Sequence, residues 1–197
     1  MMKSTKAMAI ALAIGLGFNG LAHADERAWA WSPLGIGLAA PIQLPFIESD
    51  VYGIRIGGLF GYNNDVYGID AGVAEICAGD FAGIQASALS WTEGDAYGVQ
   101  VGALANVVAG NSVALQAGLV NVNWGDAAGL QFGLVNYASN YRGVQFGGLI
   151  NWNELPSYGL EIGLVNACDK MHGVQFGLIN LICESKLPIM CLANASF

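Results

Sequence analysis

From Gly53 onward the chain repeats itself about every 15 residues, and this period constrains its fold more than any other feature. Units begin at Gly53, Gly68, Gly83, Gly98, Ala114, Gly129, Gly143, Gly159 and Gly173. Each reads glycine, aliphatic, polar, apolar, glycine, then an apolar pair and often asparagine. Gly129-Leu-Gln-Phe-Gly-Leu-Val-Asn136 and Gly173-Val-Gln-Phe-Gly-Leu-Ile-Asn180 are two good copies. The third position is polar throughout: Arg55, Asp70, Gln85, Gln100, Gln116, Gln131, Gln145, Glu161 and Gln175. The fifth is glycine except at Ser87. This alternation has period two, which specifies a strand. One face carries Leu130, Phe132 and Leu134, the other glycine and glutamine. Turn signals such as Asn63-Asn64-Asp65, Gly79-Asp80 and Gly94-Asp95 separate the units. Each unit is therefore expected to be one strand of roughly 9–11 residues and a turn of roughly 4–5.

The N-terminus reads as an export signal. Lys3 and Lys6 precede an apolar run from Ala7 to Gly17, and Ala22-His23-Ala24 is a small-x-small cleavage site before Asp25. The expected organisation is a signal peptide over 1–24, a Pro-containing segment or edge strand over 25–51, and a repeat β domain over 52–197. All 15 acids lie beyond the cleavage site, with only Arg27, Arg55, Arg142, Lys170 and Lys186 as bases. Such an acidic chain cannot neutralise a row of phosphates, so nucleic-acid binding is excluded. Hydrophobic residues at 54% against 11% charged also exclude disorder.

Catalytic and metal chemistry find little purchase. Cys77, Cys168, Cys183 and Cys191 match no zinc spacing, and His172 is the only histidine after the signal. Ser90, Ser112, Ser139 and Ser157 fall near strand ends and turns, and no G-x-S-x-G occurs. No cofactor is expected and the chain reads as non-enzymatic. The third-position residues are the candidate sites, with Arg55, Asp70 and Glu161 as charges where glutamine is usual.

The units resemble a bacterial surface-repeat family whose copies read G-L-Q-L-G-L-x-N and whose last strand follows a Leu-Pro step, here Leu187-Pro188. That resemblance implies a Gram-negative envelope location and a repeat architecture. Ala114 and Ser87 depart from the pattern. The alternating segment Leu187, Ile189, Cys191, Ala193, Ala195 and Phe197 is also similar to the assembly signal of outer-membrane barrels.

Two folds suit a repeated strand. The expected one is all-β: an antiparallel transmembrane β-barrel of about ten strands, made of ~15-residue single-strand repeats. A tilted ten-residue strand rises roughly 26 Å, which matches an apolar band of about 25 Å. Leu130, Phe132 and Leu134 would then meet lipid, and the nine polar positions would fill the lumen. Trp91, Trp124, Trp152, Tyr137 and Tyr141 would form interfacial girdles. The alternative is a secreted or periplasmic β-solenoid, supported by Asn106, Asn121, Asn136, Asn151, Asn166 and Asn180 at near-constant spacing. Against it, a straight nine-residue strand of about 30 Å leaves too few residues to return. The expected role is structural or an interaction role at the outer membrane. Outer-membrane lipid and the barrel-assembly machinery are the expected partners, beside an unidentified surface partner; the alternative role is a binding module. A barrel would also hold Cys168 and Cys183 at opposite rims, so no bridge between them is expected.

Overall fold

The computed structural model describes residues 31–40, 42–45 and 49–196. The signal-peptide reading over 1–24 and the terminal aromatic Phe197 lie outside the described residues.

Each repeat is one coil of a β-solenoid, not one stave of a barrel. Successive coils pair in parallel with like residues opposed: Gly53 with Gly68, Gly68 with Gly83, Gly83 with Gly98, and Gly159 with Gly173. An antiparallel barrel pairs neighbouring strands head to tail, so this register overturns the barrel. The single-strand unit survives in most coils, but the strand is not straight. The chain bends near the fifth-position glycine, and each coil has two arms. In the second coil the arms are separate strands, β4 (Val66–Ala71) and β5 (Ala74–Cys77). Both pair with β3 (Asp50–Asn63) on one side and β6 (Phe81–Thr92) on the other. Elsewhere the strand runs on through the bend, but the register slips there, between Ser87 and Leu89 and between Gly102 and Ala105. The bend answers the objection from length: a strand folded at its midpoint does not have to be spanned again.

The order continues through β7 (Ala96–Val108), β8 (Ser112–Asn153), β9 (Ser157–Cys168) and β10 (Met171–Ile182). The long β8 winds through three coils: its start pairs with β7 and its end with β9. The Pro-containing segment joins the stack. Strand β1 (Trp31–Ala39) runs parallel to β3, with a register slip around Pro33, which has no N–H to give the ladder. Both ends close on a reversed strand, β2 (Ile42–Leu44) on β1 and β11 (Ile189–Ser196) on β10.

Coils can stack this closely because glycine lines one column. Gly53, Gly68, Gly83, Gly98, Gly129, Gly143, Gly159 and Gly173 have φ between 122° and 152°. A Cβ on Gly143 would strike the carbonyl oxygen of Gly129 in the preceding coil. Ala114 is the one member of the column without a positive φ.

Candidate functional site

The interior is mostly polar. Among the described residues, 26 buried ones are polar or charged and 15 apolar. The nine third-position residues, expected to line a barrel lumen, are all buried in one column inside the solenoid. From Gln145 towards the N-terminus each glutamine donates an amide hydrogen to the next. Gln145 donates to Gln131 (2.6 Å), Gln131 to Gln116 (2.8 Å), Gln116 to Gln100 (2.9 Å) and Gln100 to Gln85 (3.1 Å). Gln85 ends the run on Asp70 (2.7 Å). A chain of donors all pointing one way needs an acceptor with nothing to donate at its end, and a carboxylate supplies it.

The opposite arm carries the asparagine column, which donates the other way. Asn106, Asn121, Asn136, Asn151 and Asn166 each donate to the asparagine of the next coil at 2.7–2.8 Å. Ser90 starts the column by donating to Asn106 (2.7 Å). The second hydrogen of each amide goes to a backbone carbonyl beside the bend of the next coil. Those acceptors are Ala117, Phe132, Phe146, Ile162 and Phe176, at 2.9–3.0 Å. Across the interior the glutamines also meet a second set of asparagines two residues beyond that column, as where Gln145 and Asn153 exchange hydrogen bonds of 3.2 and 2.8 Å.

Charge replaces amide in the first coils. Arg55 grips Asp70 with two hydrogen bonds, Nε to Oδ1 at 2.7 Å and Nη2 to Oδ2 at 2.6 Å. Its Nη2 also lies 3.1 Å from Glu75 Oε2, and all three side chains are out of solvent. Burial pushes the Glu75 carboxyl up to about 8, against the pull of Arg55 and with the push of Asp70. Burial thus favours the neutral form of Glu75 beside the Arg55–Asp70 pair, which lightens the cost of burying a third charge. Sequence reading missed Glu75, yet its place was legible. It lies 15 residues before Ser90, itself 16 before Asn106, so it holds the register position one coil ahead of Ser90, where the hydrogen-bonded column starts. Glu161 is the other buried acid. It accepts from Gln175 (2.9 Å) and Asn153 (2.9 Å), and burial raises it to about 7 despite those bonds.

The exterior is apolar. Leu130, Phe132 and Leu134 are exposed, as are Ile54, Ile84, Val101, Leu164 and Phe176 in other coils. Phe132 and Phe146 stack with ring centroids 5.0 Å apart. Only the corner made by the Gly-Asp segments is polar. There Asp65 Oδ1 accepts from the Asp80 N–H (2.8 Å), Asp80 from Asp95 (2.8 Å), and Asp95 from Asn111 (2.7 Å).

The remaining candidates are dispersed. His172 stacks on Tyr158 at 4.8 Å. Ser90 is used inside the core, Ser112 and Ser157 are buried, and Ser139 donates to the carbonyl of Trp124. Of the aromatics read as girdle residues, Tyr141 is buried and donates to the Gly129 carbonyl, whereas Trp124 and Trp152 are exposed. All four cysteines are free thiols, with Cys77 and Cys168 buried and Cys183 and Cys191 exposed. Among the described residues no group of three or more His, Cys, Asp or Glu is placed to hold a metal ion. The polar columns are thus a core and the apolar exterior is the candidate functional surface. Comparison with known proteins adds no relative to this reading: no family model, no curated protein and no solved structure matches the chain.

Proposed function

We propose that the chain is an exported, non-enzymatic interaction module of the cell envelope that docks through its apolar exterior. One observation carries this reading: the solenoid is largely inverted, with amides dominating the interior and most of its Ile, Leu and Val outside. A chain that stays alone in water buries its large apolar side chains, and extended apolar patches mark contact surfaces. The same chemistry speaks against catalysis, because the buried acids are engaged with Arg55 or with amides inside the stack. Export rests on the signal-peptide pattern of residues 1–24. With the barrel set aside, the barrel-assembly machinery loses its ground as a partner.

The test is phase partition of the folded full-length chain in a detergent that clouds on warming, alongside binding of an apolar dye. Docking through the exterior predicts that the chain enters the detergent phase and binds the dye while folded. A folded chain that stays in the aqueous phase and ignores the dye would end the proposal.

A further inference from the structure

Resting on that apolar-docking reading, we infer that the occupant is a lipid leaflet, which the solenoid enters bend first with its Gly-Asp corner held at the headgroups. The exterior is sorted along each arm in the order a membrane interface demands. Every charged side chain among the described residues is either inside the stack or at the Gly-Asp corner and the row beside it, where Arg142 sits. Beside that corner come aromatics with polar tips: Tyr52, Tyr67, Tyr97 and Tyr158 on one arm, Trp152 on the other. Tyr52 and Tyr67 stack at 5.0 Å. Tyr and Trp favour this level of a bilayer because one end is apolar and the other can stay wet. Farther along, the outward positions from Leu160 to Leu164, and their counterparts in the other coils, are aliphatic or Phe.

Length agrees. From the outward residue after the column glycine to the bend is four residues, or about 13 Å of strand. One leaflet contributes about half of a hydrocarbon core of about 30 Å. A protein partner would cover one face; lipid covers both faces and the bend together.

The backbone meets the stricter condition. In lipid each N–H and C=O must find its partner inside the protein. At the bend, the Gly72 N–H donates to Ala86, Val73 to Gly58 and Ala88 to Val73. The carbonyls beside the bend receive the second amide hydrogen of the asparagine column, from within. At the Gly-Asp corner the equivalent service comes from aspartates, which require water. The outer edges of β2 and β11 are the exception. Without a partner strand among the described residues, they need water beside them or a second copy stacked end to end.

The probe is flotation of the full-length chain with phosphatidylcholine vesicles, read with tryptophan quenching by lipids brominated at two depths. The chain is expected to float and to bind phosphatidylcholine at least as well as phosphatidylglycerol, because the aspartate row repels anionic headgroups. Leu178→Asp at the bend is expected to weaken flotation at least tenfold, and Lys170→Glu at the polar corner to leave it within twofold. Bromines near the headgroup end are expected to quench the native tryptophans best, and Leu178→Trp to add a component quenched by deep bromines. If Leu178→Asp does not fold, the depth profile decides: equal quenching at both depths overturns the inference. A chain that enters the detergent phase but forms a soluble oligomer without floating overturns the lipid occupant and leaves apolar docking intact. A soluble monomer that avoids detergent overturns both.

Discussion

The first coils and the later ones share a backbone but fill it differently. Over 96–182 the interior is mainly amide on amide, glutamines donating towards one end of the stack and asparagines towards the other. Over 50–92 the same columns hold Arg55, Asp70 and Glu75. The difference teaches that an amide column extends at little cost but has to be ended. Gln100, Gln116 and Gln131 each donate to one neighbouring rung and accept from the other, so an inner rung adds no unpaired group. At the N-terminal end of the glutamine run the last donor meets Asp70, and the charge that creates is matched by Arg55. The asparagine column ends without charge, because Asn180 donates to the Gly177 carbonyl at 2.9 Å.

The largest way to break this contrast is to remove the cation. Arg55→Met leaves Asp70 and Glu75 buried beside each other. It is expected to cost about 3–5 kcal/mol, read from the urea midpoint of the detergent-held protein. Replacing the cluster as Arg55→Gln, Asp70→Gln and Glu75→Asn together extends both amide columns and is expected to recover more than half of that loss. A loss below about 1 kcal/mol for Arg55→Met would mean that the cluster is an ordinary rung.

The glycine column serves both regions and is the control. Gly68→Ala and Gly143→Ala each force a Cβ against a carbonyl of the preceding coil at positive φ. Both are expected to lose about 2–4 kcal/mol, and by similar amounts. Ala114→Gly is expected to change stability by less than about 1 kcal/mol. Unequal costs at positions 68 and 143 would place the regional difference in the backbone rather than in the columns.

Next comes the amide column itself. Asn136→Ala strands the donor of Asn121 and the acceptor of Asn151, and frees the Phe146 carbonyl. About 2 kcal/mol is expected, against about 1 kcal/mol for Ser90→Ala, which removes only the first donor. Equal midpoints for the two variants would contradict the shared dependence of the rungs.

The smallest effect is a gain. Glu161 is a charge of the N-terminal kind set among amides, without an arginine. Burial raises it from 4.5 to about 7, so the folded state keeps a proton that the unfolded chain releases above its lower value. Stability is therefore greatest below about pH 4.5, falls as pH rises to about 7, and stays at the lower level beyond. Glu161→Gln is expected to raise the urea midpoint at pH 8 and to leave it unchanged at pH 4. A gain of equal size at both pH values would assign the effect to hydrogen-bond geometry instead of charge.

Most of the surface was legible before the fold was. Alternation with period two placed Leu130, Phe132 and Leu134 on one side and the glutamines on the other, which holds in a barrel and in a solenoid alike. The asparagine spacing pointed to stacked coils. What opposed it was the assumption that Gly129 to Asn136 is straight, whereas the register slips near the fifth-position glycine of other repeats show the bend. Glu75 was hidden for the same reason, since its column becomes visible only once each repeat has two arms.

By itself, then, the sequence determined the period, the strand character, and which side chains share the polar side and which the apolar one, because these follow from local alternation. Only the tertiary structure decided that neighbouring repeats run parallel, that each folds back near its fifth position, and that Arg55, Asp70 and Glu75 meet. Those outcomes depend on pairing between residues 15 apart, where Gly53 meets Gly68 and Arg55 meets Asp70. A pattern of polar-in and apolar-out is satisfied equally well by a strand beside its antiparallel neighbour and by a coil on its parallel one. Hydrogen bonds between distant repeats make the choice.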